Sequence, residues 1–108
     1  MDFKTTKGIK TDIRIDGKII TLNNSTGNTT TIYKKALELN KRMDKSKENK
    51  EMKKEDINFF LSLAKDLFGD DYELVSQLEL QDFTKVLEIG VEEFINATKK
   101  THEKFEVK

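Results

Sequence analysis

The stretch Thr11-Asp12-Ile13-Arg14-Ile15-Asp16-Gly17-Lys18-Ile19-Ile20-Thr21-Leu22 decides the fold at the start of this chain. Apolar and polar residues alternate around Asp16-Gly17, and Asp-Gly between β-branched runs is typical of a two-residue type I′ turn. The pairs in the predicted hairpin are Ile15 with Lys18, Ile13 with Ile20, and Thr11 with Leu22. The side chains that share one face, which we expect to be buried, are Ile13, Ile15, Ile20 and Leu22.

Four segments after the hairpin show the period of amphipathic helices. Their apolar residues are Ile32, Ala36, Leu39 and Met43; Ile57, Phe60, Leu61, Ala64, Leu67 and Phe68; Tyr72, Val75 and Leu78; and Phe83, Val86, Leu87, Gly90, Val91, Phe94 and Ile95. We expect Asn28 or Thr29 to cap the first helix and Asp70 or Asp71 to cap the third. The predicted fold class is α+β and mostly α, with an N-terminal β-hairpin followed by about four helices.

The remaining segments are assigned from their composition. Residues 1–10 are expected to form a flexible arm, residues 11–98 a single domain, and residues 99–108 a charged tail. Residues 41–54 carry seven Lys/Arg against three Asp/Glu, and Met52 is the only apolar residue between Met43 and Ile57. We expect this stretch to be either a mobile basic connection or a solvated extension of the first helix.

The residue types limit the chemistry that the chain can perform. It has 108 residues with no Cys and one His, His102, which disfavours thiolate chemistry, a zinc site and a His-activated nucleophile. The five glycines do not follow the spacing of phosphate-binding loops. Adjacent acids such as Asp70-Asp71 point about 100° apart on a helix, so both are not expected to be buried. We therefore expect no catalytic, cofactor-binding or metal-binding residues, and no enzyme activity.

Hydropathy and charge bear on location and partners. No apolar run approaches the ~20 residues of a membrane-spanning helix, so we expect a cytoplasmic protein without a membrane partner. Residues 1–53 hold 13 Lys/Arg and 7 Asp/Glu, whereas residues 54–108 hold 7 and 13, which gives +6 and −6. This division indicates either attraction between the two halves within one fold or association with other chains.

The aromatic residues indicate either a hydrophobic core or, where one of them is exposed, a surface for protein binding. Phe59 and Phe60 are adjacent, so they lie about 100° apart on a helix and one stripe does not easily bury both. If Phe59 or Phe68 is exposed on this small domain, we expect it to be a docking anchor. Gly90, in mid-helix, indicates the close approach of another helix, from this chain or from a second copy. The residues expected to form a groove for a helical partner segment are Phe59, Phe83, Leu87, Val91 and Phe94.

Two segments carry a resemblance to a known family. They are Ile57-Asn58-Phe59-Phe60-Leu61-Ser62-Leu63-Ala64-Lys65-Asp66-Leu67-Phe68-Gly69 and Leu78-Glu79-Leu80-Gln81-Asp82-Phe83-Thr84-Lys85-Val86-Leu87-Glu88. With the hairpin and the first helix, they make residues 9–97 similar to the tail assembly chaperones of long-tailed phages and prophages of Gram-positive bacteria. The resemblance implies a cytoplasmic protein that keeps the tape measure protein soluble and helps to recruit tail tube subunits. The resemblance is compatible with a homo-oligomer, and it identifies no binding residue in this chain.

Two other classes of protein remain open. A small nucleic-acid-binding regulator would use the basic segment 34–54 to meet phosphates. Acidic residues interleave in this segment, and over the whole chain Lys outnumbers Arg eighteen to two, so nucleic acid is not the expected partner. A structural or antitoxin-like partner protein fits the composition as well as a chaperone does.

Overall fold

The computed structural model describes residues 1–4, 8–49 and 53–98, and for Thr26 and residues 44–49 it describes the backbone alone. The elements in chain order are β1 Ile9–Ile15, β2 Lys18–Leu22, α1 Thr26–Asn49, α2 Lys54–Phe68, a 3-10 turn Gly69–Asp71, α3 Tyr72–Ser76 and α4 Leu80–Ala97. The protein is therefore mostly helical with an N-terminal antiparallel hairpin, as expected. Three of the helices are long, and the predicted number of about four is reached only by counting the five-residue α3.

The hairpin turns at Asp16-Gly17. Both residues have positive φ, 52° and 83°, which a type I′ turn requires and which glycine adopts without steric cost. Ile15 pairs with Lys18 as predicted. The predicted buried face is confirmed, because Ile13, Ile15, Ile20 and Leu22 all lie in the core.

The rest of the predicted register is wrong, because a bulge interrupts β1. Arg14 pairs with Ile19, but Lys10 pairs with Thr21, so three residues of β1 lie opposite Ile20 alone. Leu22 therefore lies opposite Ile9 rather than Thr11. The boundary predicted for the arm also shifts, since Ile9 and Lys10 belong to the strand. Residues 99–108, the predicted charged tail, lie outside the described residues.

The side chain of Thr11 explains the bulge. Its hydroxyl donates to the carbonyl oxygen of Ile20 at 2.8 Å and accepts from the N–H of Ile13 at 3.0 Å. The hydroxyl thus stands where a direct backbone bond between Ile13 and Ile20 would lie in a regular ladder. Thr11 is itself buried, which makes these two bonds the local replacement for the missing one.

Helix α1 begins earlier and extends further than its apolar pattern. The carbonyl oxygen of Ser25 accepts the N–H groups of Asn28 and Thr29, so neither of those two residues is the cap. At the other end the helical backbone runs to Asn49, past the last apolar residue of the stripe, Met43. As far as Asn49, this agrees with the expected helical extension rather than a connection without structure.

The core lies between the buried face of the hairpin and the helices. Its largest fully buried side chains are Phe60, Phe68, Phe94, Ile20, Leu22, Ile32, Leu39, Leu63, Leu67, Leu87 and Val75. Gly90 allows α4 to approach α2 closely, because a Cβ atom there would lie 2.9 Å from Cζ of Phe68 and 3.2 Å from Cδ2 of Leu67. The close approach expected at Gly90 therefore occurs within this chain.

We expect Gly90→Ala to lower the free energy of unfolding by about 1 kcal/mol, because overpacking costs about 1–3 kcal/mol and the gain in helix propensity returns about 1. The ring of Phe68 is buried and has little room to move away. Chemical denaturation measures the effect, and Gly27→Ala in α1 is the matched control, because a Cβ atom there meets nothing within 4 Å. Equal stabilisation by both substitutions would contradict the close contact.

Ion pairs join the two oppositely charged halves of the chain. The cations come from residues 1–53 and the carboxylates from residues 54–108 in the pairs Lys18–Asp71 at 2.7 Å, Lys35–Asp66 at 2.6 Å and Arg42–Asp56 at 2.7 Å. The opposite charges of the two halves therefore attract each other, at least in part, within one fold.

Candidate functional site

Four of the five residues expected to form the partner-binding groove are part of the core. Phe83, Leu87, Val91 and Phe94 are no more than 4% exposed. Phe59 is half-buried, and the guanidinium of Arg42 lies 4.6 Å from the centre of its ring. These five side chains therefore do not make an open groove in this conformation.

The described part of the basic segment 34–54 is partly neutralised by acidic side chains. Nζ of Lys35 donates to Oδ2 of Asp66 and to the hydroxyl of Ser62 at 2.9 Å. Arg42 donates to Oδ1 of Asp56 and covers the ring of Phe59. Two of the cations that a nucleic-acid-binding surface would use are thus engaged within the fold.

An open groove of about 370 Å³ lies between α1 and α4, and we call it the helical furrow. Leu39 and Val91 are buried at its floor, and Met43 and Ile95 are half-buried along its walls. The polar side chains at its rim are Asn40, Glu88, Glu92 and Asn96. Of the five residues expected at the partner site, Val91 lines this furrow.

The rim of the helical furrow is acidic on the side of α4. Glu88 and Glu92 are exposed and lie one helical turn apart, on the same face of α4. Neither carboxylate forms an ion pair with any residue that the structure describes. Among the side chains that the structure describes, the furrow therefore combines an apolar floor with negative charge that no ion pair neutralises, which favours a partner carrying apolar and basic side chains.

A second groove, of about 480 Å³, lies between β1 and α4, and we call it the hairpin furrow. Its apolar members are Ile13, Ile15, Leu78, Val86 and Ile89, and its charged members are Asp12, Arg14, Asp16, Asp82 and Lys85. At one end the backbone N–H of Asp12 donates to Oε1 of Glu93 over a long 3.5 Å. The other carboxylate oxygen of Glu93 is buried and has no hydrogen-bond partner among the described residues.

The furrows were not predicted from the sequence, although the helical furrow carries a recognisable sequence signal. Leu39 and Met43 are four residues apart, as are Val91 and Ile95, so each pair occupies one helix face. Sequence periodicity groups such residues with the core, and only the three-dimensional arrangement separates the buried floor from the half-exposed walls.

Within residues 1–4, 8–49 and 53–98, no group of three or more His, Cys, Asp or Glu side chains is placed to hold a metal ion. The same residues contain no helix with the length and apolar character needed to cross a membrane. Comparison with protein-family models, with curated proteins and with solved structures gave no match.

Proposed function

We propose that this chain is a non-catalytic binding protein that holds a helical segment of a partner protein in the helical furrow. The observation that carries the proposal is the apolar channel between Met43 and Ile95 with the carboxylates of Glu88 and Glu92 along one rim. Helix-in-groove recognition places apolar side chains of the partner at positions i, i+3 or i+4 and i+7 into such a channel. A partner segment with that spacing and with Lys or Arg beside its apolar stripe matches the furrow best.

The energetics of this binding mode favour a reversible chaperone. Each apolar side chain of the partner that the furrow fully buries contributes about 1.5–3 kcal/mol, against the cost of immobilising two chains. A short furrow accepts only a few such side chains. One copy therefore binds weakly, and many copies along a long helical protein are needed to cover its apolar surface.

Within this class we propose a phage tail assembly chaperone acting in the host cytoplasm. The support is the resemblance of residues 9–97 to that family, together with a furrow suited to long helical partners. In this role the chain keeps the tape measure protein soluble and helps to recruit tail tube subunits.

Coexpression with a long helical tape measure protein, the partner that the proposal implies, tests the proposal. We expect wild-type chain to move the tape measure protein into the soluble fraction and to copurify with it. Ile95→Lys should reduce the copurified amount about tenfold, because it places a charge on an apolar wall and repels a basic partner. Leu37→Lys is the matched control, since Leu37 is 51% exposed on α1 and lines neither furrow.

Two results would contradict the proposal at different levels. A tape measure protein that stays insoluble with wild-type chain would remove the chaperone function. Solubilisation that Ile95→Lys leaves unchanged, with its circular dichroism and thermal unfolding matching wild type, would keep the function but place the binding site elsewhere.

A further inference from the structure

The outer edge of β1 offers backbone groups for pairing with another strand. In a two-residue hairpin the residues that close the turn, Ile15 and Lys18, exchange their hydrogen bonds, so the next pair, Arg14 and Ile19, points its backbone groups outward. Asp12 is two residues before Arg14 and also points outward, as its N–H shows by reaching only Glu93. Among the described residues, β2 is the single strand that pairs with β1.

The exposed side chains of β1 and of the turn residue that follows it alternate in charge. They are Lys10, Asp12, Arg14 and Asp16, and all four face solvent. None of them forms an ion pair with another described residue. A strand with this pattern is complementary to an antiparallel strand that carries the same pattern.

We propose that β1 pairs antiparallel with β1 of a second copy of this chain, around a two-fold axis at Ile13. In this register Asp12 lies opposite Arg14 of the partner copy and Lys10 lies opposite its Asp16, which gives four complementary contacts. Moving the axis by one residue places like charges opposite each other, and moving it by two residues leaves two complementary contacts. Opposite charges across strands stabilise the pair and like charges destabilise it.

The hairpin furrow is consistent with this arrangement. A two-fold axis perpendicular to a continuous sheet places the helices of both copies on the same side of the sheet. The furrows of the two copies then face each other below the paired strands. Ile89, which is 37% exposed, and the half-buried Leu78 and Val86 lose contact with water in such a dimer.

The bulge of β1 limits the strength of the pairing. A bulge bends its strand and shortens the run that a second strand can follow, so the backbone bonds are confined to the residues around Asp12 and Arg14. The long bond from Asp12 to Glu93 must also open. The result is a reversible dimer, and its two-fold symmetry limits the assembly to two copies. Salt weakens the dimer because it screens the four charge contacts.

Sedimentation velocity of the full chain over a range of concentrations tests the proposal. We expect a monomer–dimer equilibrium that Asp12→Arg or Arg14→Asp alone weakens about tenfold or more, because each places like charges opposite each other twice. The double variant D12R/R14D should restore the wild-type dimer, since position 12 again faces the opposite charge at position 14. It would not restore pairing around an axis moved by two residues, where position 12 faces Lys10 or position 14 faces Asp16.

A second pair of variants tests the furrow. Ile89→Lys should weaken the dimer, whereas Leu37→Lys should leave it unchanged, because Leu37 lies outside both furrows. A chain that is monomeric at every concentration would overturn the proposal. So would a dimer that the single charge reversals leave intact, or one that the double exchange does not restore while the variants keep the wild-type circular dichroism.

Discussion

Replacing Asp71 by alanine is expected to lower the free energy of unfolding by about 2–3 kcal/mol, because a hydrogen bond to a charged group is lost and a backbone N–H loses its acceptor. Oδ2 of Asp71 accepts the N–H of Thr21 at 2.9 Å, and Oδ1 lies 2.7 Å from Nζ of Lys18. The carboxylate is buried and joins the 3-10 turn to β2, fifty residues away in the chain. Thermal unfolding followed by circular dichroism should show a midpoint lowered by about 10–20 °C for a domain of this size.

The neighbouring acid provides the control for this prediction. Asp70 is exposed, and Asp70→Ala should leave the unfolding midpoint nearly unchanged. Asp71→Asn should fall between the two, since an amide oxygen still accepts from Thr21 but carries no charge for Lys18. Equal midpoints for Asp71→Ala and Asp70→Ala would show that the contact with Thr21 does not stabilise the fold.

The ion pair with Lys18 contributes less than the bond to Thr21. The pKa of the Lys18 ammonium is raised above its usual value, first by its hydrogen bond to Asp71 and then by the charge of that carboxylate. The ammonium is largely exposed, however, and ion pairs of exposed groups are weakened by water and salt. We therefore assign most of the loss in Asp71→Ala to the backbone of Thr21.

Asp71 also marks a limit of sequence reasoning. An acid that follows Gly69 suits the cap of a short helix, and Asp71 does stand at the N-cap position of α3, but its side chain makes no cap hydrogen bond. The carboxylate bonds instead to β2, because the turn after α2 packs against the hairpin. A local sequence pattern cannot reveal that the backbone N–H of a strand residue fifty positions earlier needs this carboxylate as its hydrogen-bond acceptor.

The hairpin was predictable in its turn and its buried face for a clear physical reason. Asp16-Gly17 specifies the turn locally. Side chains alternate between the two faces of a strand with a period of two, so the two extra residues of the bulge leave the same side chains on the buried face. The helices were predictable in the same way from their apolar stripes. The bounds of α1 were not, because its ends depend on Ser25 and on a polar extension without a stripe.

The proposed partner site was less predictable than the fold. The helical period is followed by Phe83, Leu87 and Phe94. Residues that line a groove open to a partner and residues that are buried in the protein's own core have this same spacing. The packing of α4 against α2 at Gly90 closed this face. The apolar side chains that remain partly exposed lie at the margins of the stripes, at Met43 and Ile95 in the helical furrow and at Val86 and Ile89 in the hairpin furrow.

Thr11→Val is expected to lower the free energy of unfolding by about 2–4 kcal/mol, because it leaves two buried backbone groups without partners at nearly constant volume. Those groups are the carbonyl of Ile20 and the N–H of Ile13, which the Thr11 hydroxyl bridges. Thr11→Ser is the control, since it keeps the hydroxyl and loses one methyl group worth about 1 kcal/mol. Chemical denaturation of both variants measures the difference.

The same pair of variants decides what sets the register of the hairpin. If the hydroxyl holds the bulge open, Thr11→Ser keeps the contacts of Lys10 with Thr21 in nuclear Overhauser spectra, and Thr11→Val weakens them together with the fold. If Thr11→Val is instead as stable as Thr11→Ser and keeps Lys10 opposite Thr21, the bulge does not depend on the hydroxyl. That result would assign the bulge to the packing of β1 on α4 rather than to Thr11.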